Sequence, residues 1–434
     1  MKRIVCLILL CCMLVPLLSA CDDNAGDITV NSNSAYNFKT DYQYYYHGLH
    51  GGGLPIAKSE TGYYFFLPTR FLYYIDKESL ATTPLCNKVN CLHNDRDECD
   101  AFFNTYLVPS NLGGSFNIQY YDDSLYMLLR DEDEYGNFFG TSFYKVSLDG
   151  VTREKLISFE HGLSAWLVHR GYFYYTVEKY SDEIDSFNVF DSFSIKRLPL
   201  DDLDAEPTEI FNSKDYCDNV DSTNRLIAYD DYIYTSADPI PQETLDEFLE
   251  TGKLVVGASE YKIFSINTKD LTVNQLTNPD GEVNSPGFYN GKLLYSIGNS
   301  DENSKLRYYT SELDGSNPVF LKEMELGDYL FCNENQSYLE NSWKNLVNEV
   351  SVDYEELKML DHDLNVISSF KVPFKYAIGN IAQDSDYFIL FQSIGNSDIE
   401  VYCIDKSKLD KMNGEEVEYK TVYSSLKDRP QSEE

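Results

Sequence analysis

The densest group of side chains able to do chemistry in this 434-residue sequence is Cys86, Cys91, His93 and Cys99, spaced C-x4-C-x-H-x5-C. Three thiols and an imidazole make a Cys3His set for tetrahedral zinc; with all four positions filled by protein, such an ion would be structural. The spacing departs from the usual zinc fingers and knuckles. Outside a membrane thiols oxidise, so the first expectation is a disulfide between two of the three cysteines, with structural zinc or three reduced thiols as alternatives. Cys217 sits in a polar stretch and is a further pairing partner. Cys332 and Cys403 fall in strand patterns and read as small core residues.

Other chemistry is sparse. His47 and His50 precede three glycines and read as a solvated loop; His161, His169 and His362 are isolated at turns or unit boundaries. The sequence has no G-x-S-x-G elbow, H-E-x-x-H, P-loop or G-x-G-x-x-G. The acidic run Asp131 to Glu134 lacks the order and the glycine of an EF-hand. With 71 acidic residues, no carboxylate pair of the glycosidase kind can be singled out. No catalytic residue is assigned, and no cofactor beyond the zinc alternative.

What positions these residues is a repeated unit. Its first half is a turn residue followed by a Tyr-rich run, as in Gly62-Tyr63-Tyr64-Phe65-Phe66, Gly171-Tyr172-Phe173-Tyr174-Tyr175 and Asp386-Tyr387-Phe388-Ile389-Leu390. Its second half is an alternating strand that ends in an aliphatic residue and an Asp or Asn at a turn. These turn points fall at 76, 149, 201, 267, 314, 361 and 405. A short third strand often follows, as at Lys155 to Phe159. The hexapeptide from Ser296 to Asp301 recurs from Ser393 to Asp398 and reads as a Gly-Asn hairpin turn with positive φ. A helical turn or two is expected over Gln242 to Thr251, and another between Leu339 and Leu357.

A unit of three or four antiparallel strands cannot cover both of its faces alone, whereas units arrayed about an axis can. The fold class expected is therefore all-β, a β-propeller of seven blades with six or eight as fallbacks. The 36 tyrosines and 25 phenylalanines agree with a sheet-rich chain.

The 35 basic and 71 acidic residues give a formal charge of -36, which excludes nucleic acid and anionic headgroups as partners. Lys2 and Arg3, the apolar run from Ile4 to Leu18, and Ser19-Ala20 form a secretory leader too short to span a bilayer. Leu18-Ser19-Ala20-Cys21 resembles the lipobox of bacterial lipoproteins. That resemblance implies a lipid on Cys21, the only membrane attachment expected, holding the protein on the extracellular face. The expected organisation is a signal peptide over 1–20, lipidated Cys21 and a flexible tether over 21–50, the propeller over 51–426 and a disordered tail over 427–434.

The Tyr-rich strands at Tyr232 to Ser236 and Tyr174 to Thr176 resemble degenerate forms of the Tyr-Trp-Thr-Asp strand of low-density-lipoprotein-receptor propellers. With the lipobox, Leu72-Tyr73-Tyr74-Ile75-Asp76-Lys77 and the Cys/His segment after the first unit, the chain is similar to Gram-positive surface lipoproteins of unknown function with propellers of that kind. The resemblance implies fold and membership rather than activity. The function expected is binding of an extracellular glycan, peptide or partner protein without catalysis. The alternative is an extracellular carbohydrate-active hydrolase or lyase on the same scaffold.

Overall fold

The computed structural model describes residues 36–44, 56–67, 70–93, 98–103, 118–132, 138–160, 163–180, 189–217, 220–221, 226–251, 262–281, 283–298, 305–325, 328–332, 337–341, 355–361, 363–372, 381–394 and 398–425. His47, His50, His161 and His362, and both ends of the chain including Cys21, lie outside them.

The strand Gly62–Phe66 is buried at every position, so neither face of its sheet meets water. Tyr63 and Phe65 point to one side and Tyr64 and Phe66 to the other, because successive strand residues alternate. A sheet apolar on both faces needs a neighbour on each, and that requirement repeats along the chain. Blade 1 is Ile56–Lys58, Gly62–Phe66, Leu72–Asp76 and Thr82–Pro84; blade 2 is Ile118–Tyr121, Ser124–Glu132, Phe138–Ser147 and Arg153–Phe159. Blade 3 is Trp166–His169, Tyr172–Tyr180, Val189–Pro199 and Thr208–Asn212; blade 4 is Ile227–Tyr229, Tyr232–Pro239, Lys262–Asn267 and Val273–Gln275. Blade 5 is Val283–Tyr289, Lys292–Ile297, Lys305–Ser311 and Val319–Glu325; blade 6 is Asp328–Cys332, Ser337–Asn341, Glu355–Leu360 and Val366–Val372. Blade 7 is Ile381–Gln383, Tyr387–Ile394, Asp398–Asp405 and Lys420–Ser424.

The four strands of each blade are antiparallel, with Asn413–Glu416 added in parallel to the outer strand of blade 6, and one hydrophobic cluster fills each seam between neighbours. Blades 7 and 1 share Ile389, Val401, Ile56 and Phe65, so the last blade closes on the first. The fold is a seven-bladed β-propeller. Blades 3 and 4 are fused into one sheet by the short strand Val220–Asp221, which pairs with Val189–Phe190 on one side and Asp238–Pro239 on the other. The helix Gln242–Thr251 is an insertion of blade 4. Leu339 and Leu357 belong to blade 6 strands, and the rest of the helix expected between them lies outside the described residues.

Tyrosine recurs in the second strands because its ring fills a seam while its hydroxyl reaches a polar partner across it. Tyr63 donates to Asp384 Oδ2 (2.8 Å) and Tyr234 to Leu313 O (2.8 Å). The turns between inner and second strands demand left-handed backbone at Asp122, Asp123, Arg170, Gly171, Asp230, Asn290 and Gly291, as two-residue hairpins do. In the repeated hexapeptide Gly298 is not left-handed, while Asn299 and the Gly395-Asn396 pair of the second copy lie outside the described residues.

Residues 36–44 dock across those inner turns. Asp122 N–H donates to Lys39 O (2.7 Å), Arg170 N–H to Thr40 O (2.8 Å), and Tyr42 N–H to His169 Nδ1 (3.0 Å). Gln43 bonds both the N–H and the C=O of Lys58 (3.0 and 2.8 Å). Tyr44 meets Tyr229 and Phe288 edge-on. The segment thus straps blades 1 to 5, whereas its polar composition had assigned it to a flexible tether.

Candidate functional site

The strap, the inner turns and the turns between third and outer strands gather at one end of the ring. Beside the strap, over the seam of blades 6, 7 and 1, opens a cavity of about 1030 Å³. Its wall carries Glu60, Asp76, Glu78, Asp386 and Asp405 against Lys77 and Lys406, with Tyr338 and Tyr387 supplying the aromatic surface.

Several of these charges already have partners. Asp386 pairs with Lys77. Asp76 accepts from the backbone N–H and hydroxyl of Ser79 (2.8 and 2.6 Å), which hold its carboxyl below the usual range. Asp405 accepts from the N–H and hydroxyl of Ser407 (2.9 and 2.6 Å) and starts a short 3-10 turn. Lys406 is buried beneath the floor. Its Nζ donates to Gln383 Oε1 (2.8 Å) and Asp384 O (2.6 Å), and lies over the rings of Phe388 and Tyr338 (4.2 and 4.7 Å). Burial drives the Lys406 amine well below its ordinary value, against the pull of Asp384 and Asp386.

Behind Lys406, Asp384 is the anionic hub of the closing seam. Its Oδ2 takes Lys58 Nζ (2.7 Å) and Tyr63 OH (2.8 Å), and its Oδ1 takes the N–H groups of Asp386 and Tyr387 (both 2.8 Å). Burial alone would raise its pKa, but the Lys58 charge and these donors outweigh it and hold the carboxyl low. This arrangement offers donors, acceptors and an acidic rim to a polar ligand.

The Cys/His segment runs from the outer strand of blade 1 toward the inner strand of blade 2. The structure brings its four predicted residues together: their ligand atoms all lie within 4.8 Å of one another, and His93 Nδ1 is 3.3 Å from Cys99 Sγ. Among the described residues no disulfide joins Cys86, Cys91, Cys99, Cys332 or Cys403 to another cysteine. Burial raises the Cys99 thiol to about 12. At Cys86 burial is outweighed by the backbone N–H groups of Lys88 and Asp100, which hold that thiol below its ordinary value. Cys217 packs in the core shared by blades 3 and 4 and contacts Ser213 O (3.6 Å), apart from this cluster. Cys403 is buried in the seam of blades 7 and 1, and Cys332 is half-buried against Ser337 (3.2 Å). His169 is buried and bonded on both ring nitrogens, so it holds the strap.

Comparison with models of known protein families and with curated protein sequences finds no match. Among solved structures the chain is similar to one from a structural and mechanistic analysis of two prolyl endopeptidases, at 10% identity and TM-score 0.52, covering 88% of this chain and 50% of that one. It thus spans half the length of that peptidase chain. The β-propeller domain of the Trilobed protease from Pyrococcus furiosus matches at 13% identity and TM-score 0.44 over 73% of this chain and 82% of its own. An oligogalacturonate lyase in complex with manganese matches at 10% identity and TM-score 0.46 over 79% and 83%. At these identities the likeness is one of fold, and the fold shared is the propeller.

Proposed function

We propose that this protein is a lipid-anchored surface propeller that binds a polar extracellular ligand, a glycan or a peptide, without catalysis. The observation that carries the reading is the cavity over blades 6, 7 and 1. It is large enough for several sugar rings or a short peptide. Its acidic excess suits a neutral or cationic ligand and repels an anionic one. Asp76, Asp386 and Asp405 are committed to turns and an ion pair, which suits hydrogen-bonded recognition better than proton transfer. The lipid on Cys21 would hold the cavity at the outer face of a membrane.

The test is binding of the full chain to arrays of neutral glycans and of peptides graded in charge. A ligand of this cavity should lose roughly tenfold or more in affinity when Tyr387 becomes Ala, as truncation of a central aromatic contact does. Asp386→Asn should weaken a cationic ligand more than a neutral one. Turnover of the bound glycan or peptide, or affinity indifferent to both variants, would refute the reading. In the same cells Cys21→Ala should release the protein from the membrane fraction.

A further inference from the structure

Among residues 86–93, Asn87, Lys88, Val89, Asn90 and Leu92 are exposed, and only Cys86, Cys91 and His93 turn inward. The two aliphatic side chains that an ordinary loop would bury, Val89 and Leu92, stand in water at 88% and 80% exposure. Among the described residues the loop's interior is made of thiols and an imidazole facing the buried Cys99, set against the edge of the apolar cluster of blades 7 and 1. Asn90 and His93 take left-handed backbone (φ 66° and 56°), which turns the chain sharply on either side of Cys91 and points these side chains at one centre.

We infer that Cys86, Cys91, His93 and Cys99 bind a single structural zinc(II) ion. Zn–S bonds of about 2.3 Å and Zn–N bonds of about 2.0 Å at tetrahedral angles put neighbouring ligand atoms about 3.5 to 3.8 Å apart. The observed spacings, 3.3 Å for His93 Nδ1 to Cys99 Sγ and none above 4.8 Å, close on one ion with small side-chain shifts. A disulfide would need two sulfurs at about 2.05 Å and would leave the third thiol and His93 without a role. Binding forms three Zn–S bonds and one Zn–N bond, releases the thiol protons to solvent and involves no electron transfer. Three thiolates around a divalent cation leave one negative charge, near the half-buried Arg153 and near Lys88, which also pairs with Asp100 (3.0 Å). Arg153 is fixed there by its bond to Phe102 O (2.8 Å) and by stacking over Phe103 (3.9 Å).

All four coordination positions come from protein, so the ion acts as a staple. It would fix the connection whose far end meets blade 1 through Leu72 N–H to Ala101 O (2.9 Å) and Phe103 N–H to Arg70 O (2.9 Å). This inference is independent of the ligand proposed above.

The test is elemental analysis of the full chain purified without chelator, followed by exchange of the native metal for cobalt(II). One zinc per chain is expected, with the sulfur-to-cobalt charge-transfer band of thiolate ligation after exchange. Cys99→Ser and, separately, the half-exposed His93→Ala should each weaken zinc binding by roughly tenfold or more. Cys217→Ser should leave one zinc per chain. A disulfide between any two of Cys86, Cys91 and Cys99 found by mass spectrometry in metal-free protein would overturn the inference. So would failure of the reduced chain to take up either metal, or unchanged zinc in the His93→Ala variant.

Discussion

Asp384→Ala is expected to destabilise the ring by about 3 to 5 kcal/mol, the cost of removing one partner from a buried, hydrogen-bonded ion pair. Blades 1 and 7 are each built from four strands of their own end of the chain, and among the described residues no exchanged strand ties the first blade to the last. The seam is closed by the shared apolar cluster, by the Lys77–Asp386 pair, by contacts such as Lys420 Nζ to Ser79 O (2.6 Å), and by Asp384, its most buried polar group, which holds Lys58 and Tyr63 from blade 1. Alanine there would leave the Lys58 ammonium, only 14% exposed, without this anion, and would take from the buried Tyr63 hydroxyl its bond to Asp384. Asp384→Asn keeps one acceptor oxygen for the N–H groups of Asp386 and Tyr387 but puts an amide NH2 where Oδ2 accepts from Lys58 and Tyr63; it loses the charge and that acceptor while still filling the site, and a cost of about 1.5 to 3 kcal/mol is expected.

The acid limb follows from the same carboxylate. Its folded pKa lies below the reference value of 3.8, so between the two the unfolded chain binds more protons. The Asp384 contribution is therefore fully present above pH 3.8 and is lost as pH falls through the folded value. Urea midpoints at several pH values should show an acid limb that is shallower in Asp384→Asn. A midpoint for Asp384→Ala within about 0.5 kcal/mol of wild type, the range of an ordinary surface change, would show that the seam closes without this hub.

The propeller was legible in the sequence because its cause is local and periodic. Gly62 to Phe66, Gly171 to Tyr175 and Asp386 to Leu390 each show a turn residue and then apolar side chains in both alternating sets, so each sheet needed two neighbours. The Cys/His group was legible because its members lie within fourteen residues. Which of disulfide, zinc or reduced thiols they form was not, since the spacing alone does not show how the turns at Asn90 and His93 aim the side chains.

The cavity could not be seen beforehand, because it exists only when the ring closes. Tyr63 and Asp384 are 321 residues apart. Asp384 and Lys406 flank turns of the last repeat, and burial against blades 1 and 6 is what gives them their character. The strap was hidden for the same reason. Asp41 lies 129 residues from Arg170, and Tyr42 lies 127 from His169. Tyr36, Phe38, Tyr42 and Tyr44 alternate with polar residues, as in an extended segment with one packed face, but that alternation names none of these partners.

Arg170→Ala should detach that strap and cost about 3 to 5 kcal/mol, again because a buried carboxylate is left without its cation. Asp41 is 2% exposed, and both of its oxygens are gripped by the Arg170 guanidinium (2.9 and 3.1 Å). The same guanidinium reaches Asp230 (2.7 Å) and Asp231 on the next blade, so one side chain joins the strap to the seam of blades 3 and 4. Lysine offers one point charge where the planar fork meets three carboxylates, and Arg170→Lys should recover only part of the loss.

His169 makes the attachment pH-dependent. Its Nδ1 accepts from Tyr42 N–H (3.0 Å), so the proton must sit on Nε2, which donates to Asp230 O (2.6 Å). A second proton would set two donors face to face at Nδ1, and burial, the largest influence, already lowers the pKa below the reference 6.5. Between the folded value and 6.5 the unfolded chain binds more protons, so stability rises with pH through that window and falls as the solution is acidified. Hydrogen exchange at Tyr42 N–H should accelerate as pH drops below 6.5, after correction for intrinsic rates, and His169→Gln, which cannot titrate, should abolish that dependence. Exchange at Tyr42 that is fast at neutral pH, or unchanged by Arg170→Ala, would mean the strap does not hold the ring in solution.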